Sequence, residues 1–412
     1  MCKLKILAQI AFFLSITLGS SFGVAQGVAT GKEVSDGVVK IGVLTDMSGT
    51  FSDFSGAGSV SAVRMAVQDF GGKVLGRPIE VIYADHQNKP DVGASIAREW
   101  YDTSKVDAIF DISNSGVALS VMGITRDKNK IVVLGGVSTT RATTDSCTPN
   151  SIQYVYDANA LSNVVAKALL RQGADTWYFI TVDFAFGHGL EKTTADVVKA
   201  GGGQVLGAVR HPLNTSDFSS YILRAQGSGA KVIALANGGS DTVNAIKTAS
   251  EFGITTGGKQ RIASLLTFIT DVHSMGLSQA QGILLTEAFY WDSNEQSRKW
   301  ARRYFEANKR MPSMVQAAMY SSVTHYLKSV QAAGTDATAT VMANMKSTPV
   351  NDFFTKNGRI RADGLHVHDM YLMEVKKPSE AKYPWDYYNV RALIPADQAF
   401  SPMVAGACAT AR

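Results

Sequence analysis

The sequence predicts an α/β protein of two Rossmann-like lobes, each built on a parallel sheet. The chain has 412 residues, more than one compact core usually holds. Strand-like runs alternate with helix-like runs, a pattern typical of parallel strands joined by right-handed crossovers. The alternation restarts near Leu161 without a detectable sequence repeat. Two α/β blocks therefore share one chain, and later segments that serve both blocks predict several chain crossings between them.

The first block alternates β-branched strands with helices whose apolar residues recur at helical spacing. Its strands are predicted at 38–44, 78–84, 108–112 and 131–134, and its helices at 59–70, 92–101 and 117–125.

The second block and the late segments follow the same pattern. The second block has predicted helices at 161–171, 190–199, 218–225 and 241–252, and strands at 177–181, 205–209 and 232–236. The late segments contain predicted helices at 295–307 and 313–332, and strand candidates at 369–375 and 389–394.

The N-terminus has the organisation of a secretory signal peptide. Lys3 and Lys5 precede an apolar run from Ile6 to Leu18, which is too short to span a bilayer. Small residues then lead to a plausible cleavage site after Ala25, so residues 1–25 are predicted to be removed. A short membrane anchor is the alternative.

Cleavage would leave two cysteines, Cys147 and Cys408. An even pair in an exported protein suggests a disulfide, which here would tie down the C-terminal tail. Two unpaired buried thiols are the alternative.

Charge and motif content argue against several other functions. The net charge of +5 is spread along the chain without a basic run, which gives no case for nucleic acid. His366 and His368 could share one strand face, but no further cysteine or histidine completes a metal site, so a solvated strand face is expected. No nucleophile motif or phosphate loop follows a strand. We therefore predict no catalytic activity, cofactor or metal.

Several segments, in order, resemble the Leu/Ile/Val-binding protein family of ABC-transporter substrate-binding proteins. They are V-K-I-G-V-L from Val39, D-M-S-G from Asp46, A-V-Q-D-F-G-G from Ala66, L-G-R-P-I-E-V-I from Leu75 and L-G-G-V-S-T-T from Leu134. The resemblance covers about residues 37–395 and implies two lobes joined by three hinge crossovers. It implies lobe 1 at 37–155 plus 291–365 and lobe 2 at 156–290 plus 366–412.

The resemblance also implies a function. The protein would be a periplasmic, monomeric solute-binding protein that delivers a small molecule to an ABC permease. A periplasmic sensor would use the same fold and site with a different partner. An exported enzyme would need catalytic groups that the sequence does not provide.

Two loops of the first lobe are candidates for holding a carboxylate. Asn114 and Ser115 follow the third strand, and Gly136 and Ser138 follow the fourth. Ligands of open parallel sheets bind beyond the carboxyl ends of the strands, and helix N-termini attract anions. Asn114 could instead serve only as a helix N-cap.

The second lobe should supply an apolar and aromatic wall. The segment Asp183–Gly189 resembles the D-x-x-Y-G-x-G loop of the family, with Phe186 in the tyrosine position. The resemblance places Phe186 in the cleft, although a core aromatic is the alternative. Gly239 stands where relatives often carry an aromatic residue, which suggests room for a bulkier ligand. Phe184, Leu265 and Phe289 complete the expected wall.

Leu265 marks the largest departure from an amino-acid site. Amino-acid binders of the family place an acidic residue near this position, where it pairs with the ligand ammonium. An unpaired buried ammonium would be costly. The pattern favours a carboxylate with an apolar or aromatic body, unless Asp271 or Glu287 reaches the site.

Overall fold

The computed structural model describes residues 34–255, 259–405 and 408. The predicted signal peptide at 1–25 lies outside these residues. Two large mixed sheets, each mostly parallel, alternate with helices that cover them. None of the described helices is both long enough and apolar enough to cross a membrane.

The first sheet has six strands in the order β2-β3-β1-β4-β5-β6. Its strands are β1 Val39–Thr45, β2 Lys73–Val74, β3 Arg77–Asp85, β4 Ala108–Asp111, β5 Ile131–Leu134 and β6 Ser151–Gln153. All pairs are parallel except β2 with β3. The central strands β4 and β5 are buried along their whole length, as expected for a sheet covered on both faces.

The second sheet has seven strands in the order β15-β14-β11-β10-β9-β7-β8. Its strands are β7 Thr176–Val182, β8 Gln204–His211, β9 Val232–Ala236, β10 Arg261–Ser264, β11 Leu284–Glu287, β14 Met370–Val375 and β15 Tyr388–Ile394. The late strands β14 and β15 pair antiparallel, whereas β7 to β11 are parallel. A separate hairpin consists of β12 Arg359–Ile360 and β13 His366–Val367.

The helices surround both sheets. They are α1 Gly56–Asp69, α2 Pro90–Asp102, α3 Ser115–Asp127, α4 Ala158–Arg171, α5 Ala185–Ala200, α6 Ser219–Gly227, α7 Ser240–Glu251, α8 Ile269–Met275, α9 Leu277–Ala280, α10 Glu295–Asn308, α11 Met314–Ala333, α12 Thr338–Ser347 and α13 Ala396–Ala399. The late helix α11 packs against α1 and α12, while α4 packs against α5 and β11.

Three short segments, 154–157, 288–294 and 368–369, carry the chain between the two sheets. Histidines in and just before the third segment form hydrogen bonds with the first segment. His366 Nδ1 lies 2.9 Å from the Tyr154 carbonyl oxygen, and His368 Nε2 lies 3.0 Å from that of Val155. Both rings are buried, so the expected solvated strand face is wrong: these histidines connect two crossovers.

The two-lobed fold class is confirmed, whereas the residue limits of the two lobes remain a prediction. The late strands and both long late helices form where the sequence predicts them. The sequence did not predict ten short elements: the strands β2, β6, β10, β11, β12 and β13 and the helices α8, α9, α12 and α13. The structure also joins Cys147 to Cys408 in a disulfide, with their Cα atoms 5.6 Å apart.

Candidate functional site

The loop between β4 and α3 brings polar groups to the carboxyl edge of the first sheet. Asn114 caps α3, and its Oδ1 accepts hydrogen bonds from the amides of Gly116 at 2.9 Å and Val117 at 3.2 Å. Just before the loop, Asp111 and Ile112 both have positive φ, at 79° and 55°. Such backbone is costly for residues other than glycine and is concentrated at ligand sites.

Two serine hydroxyls at this edge are buried without a partner. Ser115 and Ser138 are 2% and 1% exposed, and their Oγ atoms make no hydrogen bond within the described part of the chain. Their loops are adjacent, because a Cβ on Gly136 would lie 3.1 Å from the Ser113 Cα. Buried hydroxyls normally find partners, so two neighbouring unpaired ones indicate a place for a bound acceptor.

Aromatic rings from the second lobe lie opposite this edge. Phe186 is 5% exposed, and its ring centroid lies 5.7 Å from that of Phe184. It also meets Phe51 of the first lobe edge-on at 6.4 Å. The segment differs from prediction, because α5 begins at Ala185 and Phe186 therefore belongs to its first turn.

Gly239 contacts the first lobe directly. It has a φ of +61°, and a Cβ built on it would lie 2.1 Å from the Thr50 carbonyl oxygen. The amide of Ser240 donates to the same oxygen at 3.2 Å. The expectation that Gly239 leaves room for a bulkier ligand is therefore wrong: the first lobe fills that space.

A second aromatic contact joins the lobes through two residues that were not among the predicted site residues. Phe54, from the loop after β1, stacks on Phe268 with ring centroids 4.0 Å apart. Phe54 also lies 3.0 Å from the position of a Cβ on Gly136. Both phenylalanines follow the carboxyl ends of strands, so the rule that places ligands there could have identified them.

Leu265 and Phe289 are both buried, in different surroundings. Leu265 follows β10, and its amide donates to the Leu235 carbonyl at 3.3 Å. The Phe289 ring meets Trp300, Phe353 and Phe354 at 5.6 to 6.3 Å. Among the described aromatic contacts none joins Phe289 to Phe184 or Phe186, so the structure does not bring it to the predicted wall.

Carboxyl groups are present near the second sheet's edge after all. Asp271 accepts a hydrogen bond from the Phe268 amide at 2.9 Å, and burial raises the pKa of Asp271 to about 7. Glu287 ends β11 and accepts from the Tyr388 hydroxyl at 3.2 Å. Both carboxyls, together with Asp111, add to the effect of burial in raising the pKa of Tyr156. Tyr156 lies in the first crossover and was not singled out from sequence.

The described residues contain no cluster of three or more histidine, cysteine or acidic side chains that could hold a metal ion. His211, for example, is buried between Asn237 and the Pro212 carbonyl.

Comparison with known proteins agrees with this architecture. Residues 38–382 match the family described as periplasmic binding protein. The crystal structure of a periplasmic binding protein from Burkholderia mallei is 55% identical, with a TM-score of 0.86, covering 89% of this chain and 96% of that one.

Two further relatives carry more specific names. A branched chain amino acid ABC transporter periplasmic ligand-binding protein from Burkholderia xenovorans is 40% identical, with a TM-score of 0.80, covering 88% of this chain and 97% of that one. Leu/Ile/Val-binding protein homolog 6 from Brucella melitensis is 27% identical, covering 84% of this chain and 90% of the relative.

Proposed function

Because the chain belongs to the periplasmic binding protein family, we propose that it is the exported solute-binding component of an ABC importer. It captures a small carboxylate-bearing solute with an apolar or aromatic body. The two lobes close around this solute, and the closed protein delivers it as a monomer to a membrane permease.

The observation that carries the proposal is that the buried hydroxyls of Ser115 and Ser138 have no hydrogen-bond partner among the residues that the structure describes. A buried hydroxyl without a hydrogen-bond partner costs about 1–3 kcal/mol, so a ligand that accepts hydrogen bonds from these two hydroxyls would recover that free energy. A carboxylate can accept from both hydroxyls, and the N-terminus of the 13-residue helix α3 favours its negative charge.

The opposite side of the site suits an apolar body. Phe186, Phe184 and Leu265 supply apolar surface, and Phe51 extends it from the first lobe. Burying such surface stabilises a complex by roughly 25 cal/mol per Å². The name of the relative from Burkholderia xenovorans supports an apolar amino acid as one member of this ligand class.

A binding screen on the mature protein tests the proposal. Isothermal titration calorimetry would compare leucine, valine, benzoate and phenylalanine with glucose and with putrescine, which lack a carboxylate. We expect binding only among the carboxylates. The variants Ser115→Ala and Ser138→Ala should each weaken that binding about tenfold, the value of one hydrogen bond to a charged group.

The variant Ser120→Ala is the matched control. Ser120 lies on the same helix, but its hydroxyl already donates to the Gly116 carbonyl, at 3.2 Å. Binding of the uncharged or cationic compounds, or equal loss in all three serine variants, would contradict a carboxylate site at this edge.

A further inference from the structure

His86 is a buried histidine at the carboxyl edge of the first sheet, beside the candidate site. It follows the last residue of β3 and is 0% exposed. The two residues after it, Gln87 and Asn88, have positive φ angles of 54° and 56°. Strained backbone of this kind persists only where the surrounding structure enforces it, and it is concentrated at functional sites. The contacts of the His86 ring therefore bear on the site.

The hydrogen bond at one ring nitrogen fixes where the ring proton lies. The backbone amide of Asn88 faces Nδ1 at 3.0 Å, and an amide N–H can only donate, so Nδ1 is the nitrogen without a proton. The turn is held in this orientation because the Asn88 side chain donates to Asp46 at 2.6 Å. Burial lowers the pKa of His86 to about 4, although the charges of Asp46 and Asp85 oppose this shift. At neutral pH the ring is therefore neutral, with its single proton on Nε2.

The protonated nitrogen of the ring faces Ser113. Nε2 lies 3.3 Å from Ser113 Oγ and 3.4 Å from the Ser113 amide nitrogen. Because the shorter amide contact is the one at Nδ1, Nε2 does not accept from the Ser113 amide, and instead donates to Oγ. This hydroxyl has no other hydrogen-bond partner among the residues that the structure describes. Its own hydrogen is therefore available to a ligand.

Ser113 lies between the loops of the two serines that carry the proposed function. It is 3% exposed and precedes Ser115 by two residues. A Cβ on Gly136 would lie 3.2 Å from the Ser113 Cβ, and Ser138 follows Gly136 by two residues. This edge thus offers three hydroxyl donors, and only the one on Ser113 is oriented by a hydrogen bond within the described chain.

We propose that His86 positions the Ser113 hydroxyl, through the hydrogen bond from Nε2, to donate a third hydrogen bond to the carboxylate of the solute. The inference rests on the proposed function, in which Ser115 and Ser138 donate to the same carboxylate. The two carboxylate oxygens offer about four acceptor sites, so three hydroxyls can bind one such group. A hydroxyl that is oriented before the ligand arrives loses little freedom on binding, which strengthens the complex.

Two replacements of His86 separate its two hydrogen bonds. In His86→Gln the side-chain amide reaches the position of Nε2 and can donate to Ser113. In His86→Asn the shorter side chain can accept from the Asn88 amide but does not reach Ser113. Affinity is measured by isothermal titration calorimetry with those of leucine, valine, benzoate and phenylalanine that bind the unchanged protein. We expect His86→Gln to bind within about threefold of the unchanged protein and His86→Asn to bind about tenfold more weakly.

A double-mutant cycle tests whether His86 acts through Ser113. Ser113→Ala alone should weaken binding about tenfold. Adding His86→Asn should weaken it by no more than about a further twofold, because no hydroxyl is left to orient. Independent losses that multiply to about 100-fold would contradict this mechanism. Ser113→Ala tests the inference even if neither histidine variant folds.

His325→Asn is the matched control for loss of a buried histidine. His325 lies on α11, and its Nε2 is 3.0 Å from the Met345 carbonyl oxygen of α12. The control should lower the melting temperature, as His86→Asn does, but leave affinity within about threefold. Nitrogen NMR of protein with isotope-labelled histidine locates the His86 ring proton directly, and we expect it on Nε2.

Three outcomes would overturn the inference while binding still depends on Ser115 and Ser138, which leaves the proposed function intact. The first is unchanged affinity in Ser113→Ala. The second is equal affinity in His86→Gln and His86→Asn, which would mean that the histidine serves only the fold. The third is a ring proton on Nδ1. If none of the four carboxylates binds, the proposed function and the inference fail together.

Discussion

The two sides of the cleft are built from different chemistry on similar scaffolds. On the first lobe, the strands β4 and β5 lead into loops of serine, asparagine and glycine, and the hydroxyls of Ser115 and Ser138 have no hydrogen-bond partner within the described chain. On the second lobe, β7 and β10 lead into Phe186 and Phe268, both buried.

In the proposed function, this difference gives the two lobes separate tasks. Small polar residues let the backbone and hydroxyls approach a charged ligand closely, whereas rings exclude water and select by shape. The aromatic side also supplies the contacts between lobes, through Phe51 with Phe186 and Phe54 with Phe268. In the proposed function the first lobe's hydroxyls recognise the charge of the ligand, while each aromatic contact between the lobes takes one ring from either side.

The largest expected effect comes from blocking the contact between the two sides. In Gly239→Ala the new Cβ would meet the Thr50 carbonyl, 2.1 Å away, so the lobes cannot close fully. We expect affinity to fall at least about 100-fold, measured by calorimetry, because binding would be limited to a poorly populated closed state. In the presence of ligand, small-angle X-ray scattering should give a larger radius of gyration for this variant than for the unchanged protein.

Gly229→Ala separates closure from backbone strain. Gly229 has a φ of +68°, close to that of Gly239, but a Cβ there meets nothing within 4 Å. It should lower the melting temperature slightly and leave affinity unchanged. Equal loss of affinity in both variants would show that strain in the second lobe, and not contact with Thr50, explains the effect.

A smaller loss of affinity is expected when only the first lobe's serine hydroxyls are removed. The double variant of Ser115 and Ser138 to alanine should lose roughly 10- to 100-fold in carboxylate affinity. The ligand-free protein should keep or gain stability, because the removed hydroxyls make no hydrogen bond to any residue of the described chain. Urea unfolding measures this free energy, and a clear loss of stability without ligand would mean that the hydroxyls serve the fold.

The smallest effect concerns pH and the second lobe. Burial raises the pKa of Asp241 from 3.8 to about 7. Between pH 3.8 and about 7, Asp241 therefore binds more protons in the folded protein than in the unfolded chain. Its contribution to the free energy of unfolding falls as the pH rises through this range. Asp241→Asn should remove that part of the decline, as measured by urea unfolding across the interval.

Asp217→Asn is a control in which the removed carboxyl contributes to stability with the opposite pH dependence. Hydrogen bonds from Ser219 lower the pKa of the exposed Asp217 carboxylate, so its contribution is present above its ordinary pKa and is lost as pH falls through the lowered value. A pH profile of Asp241→Asn parallel to that of the unchanged protein would contradict the assignment of Asp241.

Much of the scaffold could be predicted because its signals are local. The strands near Val39 and Val232 and the helices near Glu295 and Met314 follow from periodicity and composition over a few residues. Strands as short as Lys73–Val74 carry too few residues for any period to appear, and they depend on pairing with a neighbour.

The candidate site was predictable only in part. Ligands of parallel sheets bind beyond the carboxyl ends of the strands, and strand ends can be located from sequence alone. This rule identified the loops of Ser115 and Ser138. It could not show that Phe289 packs with Trp300, that Thr50 fills the space beside Gly239, or that His366 is buried against a crossover.

The sequence by itself determined the α/β class, the two-lobed order of elements and the family, because each rests on patterns of neighbouring residues. Only the tertiary structure decided which side chains meet across the cleft. Phe54 and Phe268, like Glu287 and Tyr388, lie far apart in the chain and are joined by sheet order and lobe closure. Those contacts depend on how whole layers pack, and no local pattern records that packing.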